Sequence, residues 1–308
     1  MRNLYLILVF VVSLSSSAFS QDSLAFTQQE IIYGHKLGMG LTMIMVKPNK
    51  PNGKGIISII SGNWISNYNS YQRSIEIAKS FMSAGYTVFI TMHSSAPVFD
   101  ITEAIADIKR AIQFVRYNAK TFGIDADHIG ITGASSGGHL ALLAGTADDI
   151  SKPNASDPVE RVSSKVQAVA VFYPPTDFLN WGQAGFNPSN QKQLLQSQGV
   201  LGAFTFKQFD STKFMYTPIE DQEKILAIAK SISPAEIVTA DDAPTYIMHG
   251  DKDRVVPLQQ SQLIKEKFLA VKVPVTLTVK PGGGHGWDNM ADDRKEFVKW
   301  FDQYLKLK

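Results

Sequence analysis

Gly133-Ala134-Ser135-Ser136-Gly137 constrains this chain more than any other stretch, because it fits the pattern G-x-S-x-G and lies between a strand-like run at 128–132 and a helix-like run at 138–144. A strand that passes straight into a helix through so sharp a turn lifts the central hydroxyl clear of the sheet. The flanking glycines remove Cβ atoms that would collide there. Ile129, Gly130, Ile131 and Thr132 read as a short buried parallel strand. Leu140, Ala141, Leu142, Leu143 and Ala144 continue as an apolar helix with no charge to solvate it. The turn therefore belongs at the centre of a domain, and Ser135 is the candidate nucleophile.

With 308 residues and 44% hydrophobic content, the chain can bury one large core without dividing in two. Charged residues make up 19%, and a formal net charge of +2 with no basic run gives nucleic acid little to hold. Residues 1–20 differ from the rest: Arg2 is the only charge, 4–12 is apolar, and Ala18-Phe19-Ser20 offers small residues before Gln21. This pattern predicts a cleaved export signal, with a single domain over 21–308 in the periplasm or outside the cell. The apolar run is short for a bilayer span, and no later segment is apolar for long enough, so no membrane association is expected after cleavage. The chain has no cysteine, which excludes disulfides and lipid attachment at a cysteine.

The periodicity then sets an order. Alternating residues from 30 and an apolar run at 41–46 predict an opening hairpin, and 55–60 is a β-branched strand ending in Ser61-Gly62-Asn63-Trp64. That small-residue turn is either a plain loop or a place where backbone amides face a ligand. Helices are expected at 74–84, 101–121, 258–270 and 294–307, and further strands at 87–91, 166–173, 245–249 and 275–279. Alternating strands and helices imply a mostly parallel central sheet flanked by helices on both faces. Residues 180–221 break the alternation and are expected as a cap-like excursion over the carboxyl edge of the sheet. Its aromatics, Trp181, Phe186, Phe204, Phe206, Phe209, Phe214 and Tyr216, either form a satellite core or wall a pocket above Ser135.

A nucleophilic serine needs a base, and the chain has six histidines. His35 and His93 precede the turn, whereas in chains built around this motif the base follows both nucleophile and acid. His128 opens the strand at its far end, His139 reads as a packing or capping group, and His249 reads as a brace for the turn after it. His285 remains, in the glycine-rich loop Gly282-Gly283-Gly284-His285-Gly286-Trp287 after the last strand. The base needs a carboxylate to hold its tautomer. Asp251 and Asp253 follow His249-Gly250, and Asp177 follows another strand in Tyr173-Pro174-Pro175-Thr176-Asp177. An Asp in a first-turn position commonly bonds its own backbone. Spacing therefore favours Asp253 by a small margin and leaves the other two open.

The run from Asp107-Ile108-Lys109-Arg110-Ala111 through Phe122-Gly123-Ile124-Asp125 to Gly137-Gly138-His139-Leu140-Ala141, with Ser233-Pro234 and His249-Gly250 to Val256-Pro257, resembles the α/β-hydrolase esterases. The nearest group is the feruloyl and acetylxylan esterase-like carboxylesterases, allied to hormone-sensitive-lipase-type enzymes and to the prolyl oligopeptidase catalytic domain. The resemblance covers most of the chain from about Gly55. It implies the α/β-hydrolase fold, with the acid at the H-G-x-x-D position, here Asp253, and the base at His285. That family usually carries His-Gly-Gly-x-Trp after the strand matched by 55–60. This chain has Ser61-Gly62-Asn63-Trp64, one residue shorter and without the histidine. Backbone N–H groups form an oxyanion hole, so one donor is expected from Ser136 and the other from Asn63 or Trp64.

The resemblance implies an exported serine carboxylesterase that cleaves short-chain acyl esters, of acetyl or feruloyl type, through an acyl-enzyme. Small-molecule or carbohydrate-linked esters are the expected partners; no metal or other cofactor is expected, and the pattern does not set an oligomeric state. Two rivals share the fold: a prolyl-oligopeptidase-like serine peptidase, and a non-catalytic binding protein. The chain lacks the large N-terminal propeller of the first rival, and all three triad residue types, absent from a typical member of the second, are present.

Overall fold

The computed structural model of the protein describes residues 24–307. The export signal expected at 1–20 lies outside the described residues. Strands β1 (Phe26–Lys36) and β2 (Met39–Pro48) form the opening hairpin. Leu37 and Gly38, both at positive φ, make its two-residue turn, which suits the right-handed twist of the flanking strands. Parallel strands β3 (Gly55–Ile59), β4 (Thr87–Thr91), β5 (Ile129–Ala134) and β6 (Ala168–Phe172) follow. A small separate hairpin, β7 (Lys207–Asp210) with β8 (Met215–Pro218), precedes the last two sheet strands, β9 (Thr245–Gly250) and β10 (Val275–Lys280).

The main sheet has eight strands in the order β1-β2-β4-β3-β5-β6-β9-β10. Both pairings of β2 are antiparallel, and the rest are parallel. Alternate residues feed two cores, as the period of two requires. Ile57, Phe89, Ile131 and Val169 meet α2 (Ile101–Tyr117), α4 (Ser136–Thr146) and α7 (Gln259–Ala270). Ile56, Val88, Ile90 and Ala170 meet α1 (Tyr71–Ser83) and α8 (Met290–Tyr304). Every residue of α4 is buried, which explains why its sequence carries no polar face. The helix expected at 101–121 breaks at Asn118, and a short helix α3 (Ala119–Phe122) ends in Gly123 at φ 70°.

Strand order positions the site. The connection through α1 leads from β3 outward to β4, and the connection through α2 leads back past β3 to β5. This reversal leaves a crevice at the carboxyl ends of β3 and β5, where open α/β sheets bind their ligands. Residues 61–65 and Ser135 emerge there.

The excursion at 180–221 is more structured than the sequence suggests. It contains α5 (Lys192–Ser197) and the β7–β8 hairpin, and α6 (Gln222–Ser231) follows directly. None of these was expected. α5 is six residues long, and α6 buries only Ala229, so neither imposes a strong period on the sequence. The chain just before this segment meets the chain just after α6: Ala235 donates its N–H to Thr176 O at 2.9 Å, and Phe178 N–H donates to Ser233 Oγ at 2.9 Å.

Candidate active site

Ser135 joins β5 to α4 at φ 54° and ψ −124°. A side-chain-bearing residue enters that region at a cost on the order of 1–3 kcal/mol, which the surrounding structure must hold in place. Ser135 N–H donates to Phe172 O at 3.0 Å, and Ser135 O accepts from His139 N–H at 2.8 Å, so both peptide groups are fixed by neighbours. Gly133 lies so near the start of α4 that a Cβ there would run into the Gly137 carbonyl oxygen. The first glycine of the motif is a steric requirement of the turn.

Ser135 Oγ is 2.8 Å from His285 Nε2, and His285 Nδ1 is 2.8 Å from Asp253 Oδ2. A carboxylate only accepts, so Nδ1 carries the proton and Nε2 is the acceptor facing the serine hydroxyl. The Tyr173 ring packs against His285 with centroids 4.5 Å apart. Asp253 Oδ1 accepts from the N–H groups of Val255 and Val256 at 2.8 and 2.9 Å. Oδ2 also lies 3.3 Å from Nε2 of the buried His249. Burial pushes the Asp253 carboxyl upward, but hydrogen bonds from His249, His285 and the two amides outweigh it and hold the group well below the usual carboxylate range. Asp253 is therefore an anion throughout the neutral range.

The other two carboxylates have different partners. Asp251 Oδ1 accepts from Gly282 N–H at 2.7 Å, which ties the acid turn to the loop carrying His285. Gly250 belongs to the same close contact, since a Cβ on it would meet the Gly283 carbonyl oxygen. Asp177 is buried and accepts from the Leu179 and Asn180 backbones and from Asn180 Nδ2, at 2.7, 3.1 and 2.8 Å. It fixes the start of the excursion.

Residues 62–65 form a tight reversal closed by two backbone hydrogen bonds between Gly62 and Ile65, at 2.9 and 2.8 Å. Asn63 and Trp64 occupy its centre at φ 53° and 56°. Asn tolerates this region; for a residue as bulky as Trp it is an outlier. The N–H groups of Asn63, Trp64 and Ser136 have no acceptor among the described residues. Ser136 Oγ is 3.0 Å from Ser61 Oγ, which links the two turns. Asn63, Trp64, Ser135 and Ser136 all line one cleft of about 500 Å³.

Trp181, Phe186 and Phe204 of the excursion, with Leu194 and Val255, form apolar walls of that cleft, and among the described residues Arg254 is the one charged side chain lining it. The excursion aromatics therefore divide. Three line the cleft, Phe206 is buried behind Phe204, and Phe209, Phe214 and Tyr216 cluster on the exposed hairpin. Neither a satellite core nor a pocket wall alone describes the segment.

His139 and His249 have roles in the site that spacing did not reveal. His249 Nδ1 lies 2.7 Å from Ser261 Oγ, and its Nε2 lies 2.9 Å from Val256 O. It braces the acid turn as expected and also reaches the carboxylate. His139, fully buried, accepts the Trp64 indole N–H at Nδ1 (3.0 Å) and donates from Nε2 to Ile232 O (2.7 Å). Burial lowers its pKa from 6.5 to about 4, against a smaller opposing effect of the Ile232 carbonyl. The folded-state value lies below the unfolded one, so between them the unfolded chain takes up a proton that the folded chain refuses. Stability is thus full above about 6.5 and falls as pH is lowered toward 4, by on the order of 3 kcal/mol from this residue. Urea midpoints at pH 7.5 and 4.5 are expected to differ less for His139→Gln, which does not titrate, than for the parent. An unchanged difference would remove His139 as the source.

The sequence profile of the BD-FAE family matches residues 41–268. Esterase LipQ of Mycobacterium tuberculosis is 27% identical over 274 residues, covering 87% of this chain and 59% of its own length. Esterase LipC of the same organism is 26% identical over 242 residues, covering 78% and 54%. The chain thus spans little more than half the length of these relatives. Among solved structures, a truncated form of a carbohydrate esterase from gut microbiota superposes with a TM-score of 0.72 at 26% identity, covering 92% of this chain and 99% of the other.

Proposed function

The chain belongs to the BD-FAE family, and from that premise we propose that it is an exported serine carboxylesterase that hydrolyses short-chain acyl esters, of acetyl or feruloyl type, on small or carbohydrate-linked alcohols. The observation that carries this reading is the chain of hydrogen bonds from Ser135 Oγ through His285 to Asp253, 2.8 Å at each link, at the edge of an apolar cleft. In the proposed reaction Ser135 Oγ attacks the ester carbonyl and His285 Nε2 takes its proton. Amides of Ser136 and of Asn63 or Trp64 bind the oxyanion. The intermediate collapses as His285 returns the proton to the departing alcohol, leaving an acyl-Ser135. Water, deprotonated by the same Nε2, then releases the acid and restores the hydroxyl. Asp253 remains an anion throughout and stabilises the imidazolium.

Three features support the substrate class. The cleft, at about 500 Å³, suits a small ligand, and its aromatic walls suit a short or aromatic acyl group. The solved structure compared above is described as a carbohydrate esterase. Export is supported by the pattern of residues 1–20, with their apolar run and the small residues after it. A fluorophosphonate probe is expected to label Ser135, and rates on p-nitrophenyl esters from acetate to palmitate are expected to peak at two to four carbons. A maximum at long chains would defeat the short-acyl assignment, and absence of labelling would defeat the serine mechanism.

A further inference from the structure

We propose that His139 is a positioning residue for the oxyanion-binding turn, holding Trp64 through its indole N–H and locking that turn to α4 and to the end of α6. The inference rests on the proposed esterase reading for its kinetic consequence, and on geometry alone for the junction itself.

The chemistry of the three groups permits one arrangement. An indole N–H can only donate and a backbone carbonyl can only accept. The imidazole between Trp64 Nε1 and Ile232 O must therefore be neutral, with its proton on Nε2 and its lone pair on Nδ1. Three segments far apart in sequence converge on this ring: the turn after β3, the first turn of α4, and the residue that ends α6. Phe178 adds a fourth contact, with its ring centroid 5.2 Å from that of His139 and 5.9 Å from that of Trp64.

Trp64 needs such a hold. Its backbone is at φ 56°, a conformation that a bulky side chain disfavours and that persists only when the surroundings over-determine it. The carbonyl is fixed by Ala96 N–H at 3.2 Å, and the indole is edge-on to Phe204 with centroids 5.3 Å apart. Those contacts limit where the ring can lie, but only the bond to His139 fixes its rotation by a directional interaction. Without that acceptor a buried indole donor is left unpaired, and the turn can relieve both defects by relaxing toward negative φ. Such a relaxation moves the amides of Asn63 and Trp64 away from the position they hold beside Ser135. Oxyanion donors act only when fixed before the reaction, so the loss should appear in kcat and spare KM.

His139→Leu is expected to lower kcat on p-nitrophenyl acetate by about ten- to a hundredfold with KM changed by less than about threefold. His139→Gln offers an acceptor and a donor in one side chain and is expected to recover most of that loss. Trp64→Phe removes the donor and is expected to match His139→Leu, with the double variant no worse than either single change. A kcat within about threefold of the parent in His139→Leu, losses that multiply in the double variant, or an effect confined to KM would each overturn the proposal. If His139→Leu does not fold, His139→Gln and Trp64→Phe give the same decision. The Trp64 indole proton, assigned by its disappearance in Trp64→Phe, supplies a readout independent of turnover. Slow exchange with solvent in the parent that becomes fast in His139→Leu supports the junction, and equal exchange in both removes it. A parent protein with slow exchange but no ester turnover would overturn the esterase reading and leave the junction standing.

Discussion

Ser135→Ala is expected to reduce ester turnover by about a million-fold while leaving the fold intact, the size of loss seen when a triad nucleophile is removed. The hydroxyl's one partner among the described residues is His285, so its removal breaks a single hydrogen bond and opens almost no space. The backbone at φ 54° is equally disfavoured for Ser and Ala, so the strain at the turn is unchanged. The thermal transition should therefore shift by only a degree or two, which separates loss of chemistry from loss of structure. Ser136→Ala is the control. Its hydroxyl bonds Ser61, and its expected contribution is a backbone amide that alanine retains. Turnover near the parent rate in Ser135→Ala, or a dead Ser136→Ala, would overturn the assignment of the nucleophile.

Asp253→Asn is expected to cost about ten-thousand-fold in turnover, and Asp251→Asn less than about tenfold. The difference follows from what each oxygen accepts. In Asp253→Asn the amide oxygen is held by the Val255 and Val256 N–H groups, which turns the NH₂ toward His285 Nδ1 and His249 Nε2. Two donors then face one another at His285. The imidazole escapes by moving its proton to Nε2, which leaves no acceptor for the Ser135 hydroxyl. At Asp251 one N–H, that of Gly282, must be accepted, and an amide oxygen does so as well as a carboxylate. Equal losses, or the reverse order, measured as kcat/KM on p-nitrophenyl acetate, would overturn the choice of acid.

Legibility in the sequence followed how local each signal was. The strand, turn and helix around Ser135 are written in consecutive residues, and the alternation of strands and helices announces a mostly parallel sheet flanked by helices; the order of its strands is set by packing and is not written in that alternation. His285 emerged by elimination, and Asp253 by spacing and resemblance; the structure brings those two and Ser135 within hydrogen-bond distance. What stayed hidden depends on distant partners. His139 meets a tryptophan 75 residues earlier and a carbonyl 93 residues later, and no local pattern announces either. His249 could be read as a brace for its own turn, but its approach to Asp253 depends on how that turn folds. The inner structure of the excursion was lost for another reason: its elements are three to six residues long, too short for a period to stand out.

The excursion leaves and rejoins the scaffold at a single seam, where Thr176 and Phe178 are hydrogen-bonded to Ala235 and Ser233. A segment whose ends are already stitched together is a cassette. Changing its length alters a closure entropy that grows only with the logarithm of the number of residues, so insertions and deletions inside it are thermodynamically mild. The residues that must stay include those at the seam, Phe178 among them, and Ile232 beside it; Phe178 and Ile232 touch His139. Leu195, Ala203, Phe204 and Phe206 pack into the main core and are held to apolar side chains, whereas wall residues such as Trp181 and Phe186 can diverge while Ser135, Asp253 and His285 remain in register. Selection can therefore redraw the walls of the cleft without reworking the Ser135–His285–Asp253 array beneath it.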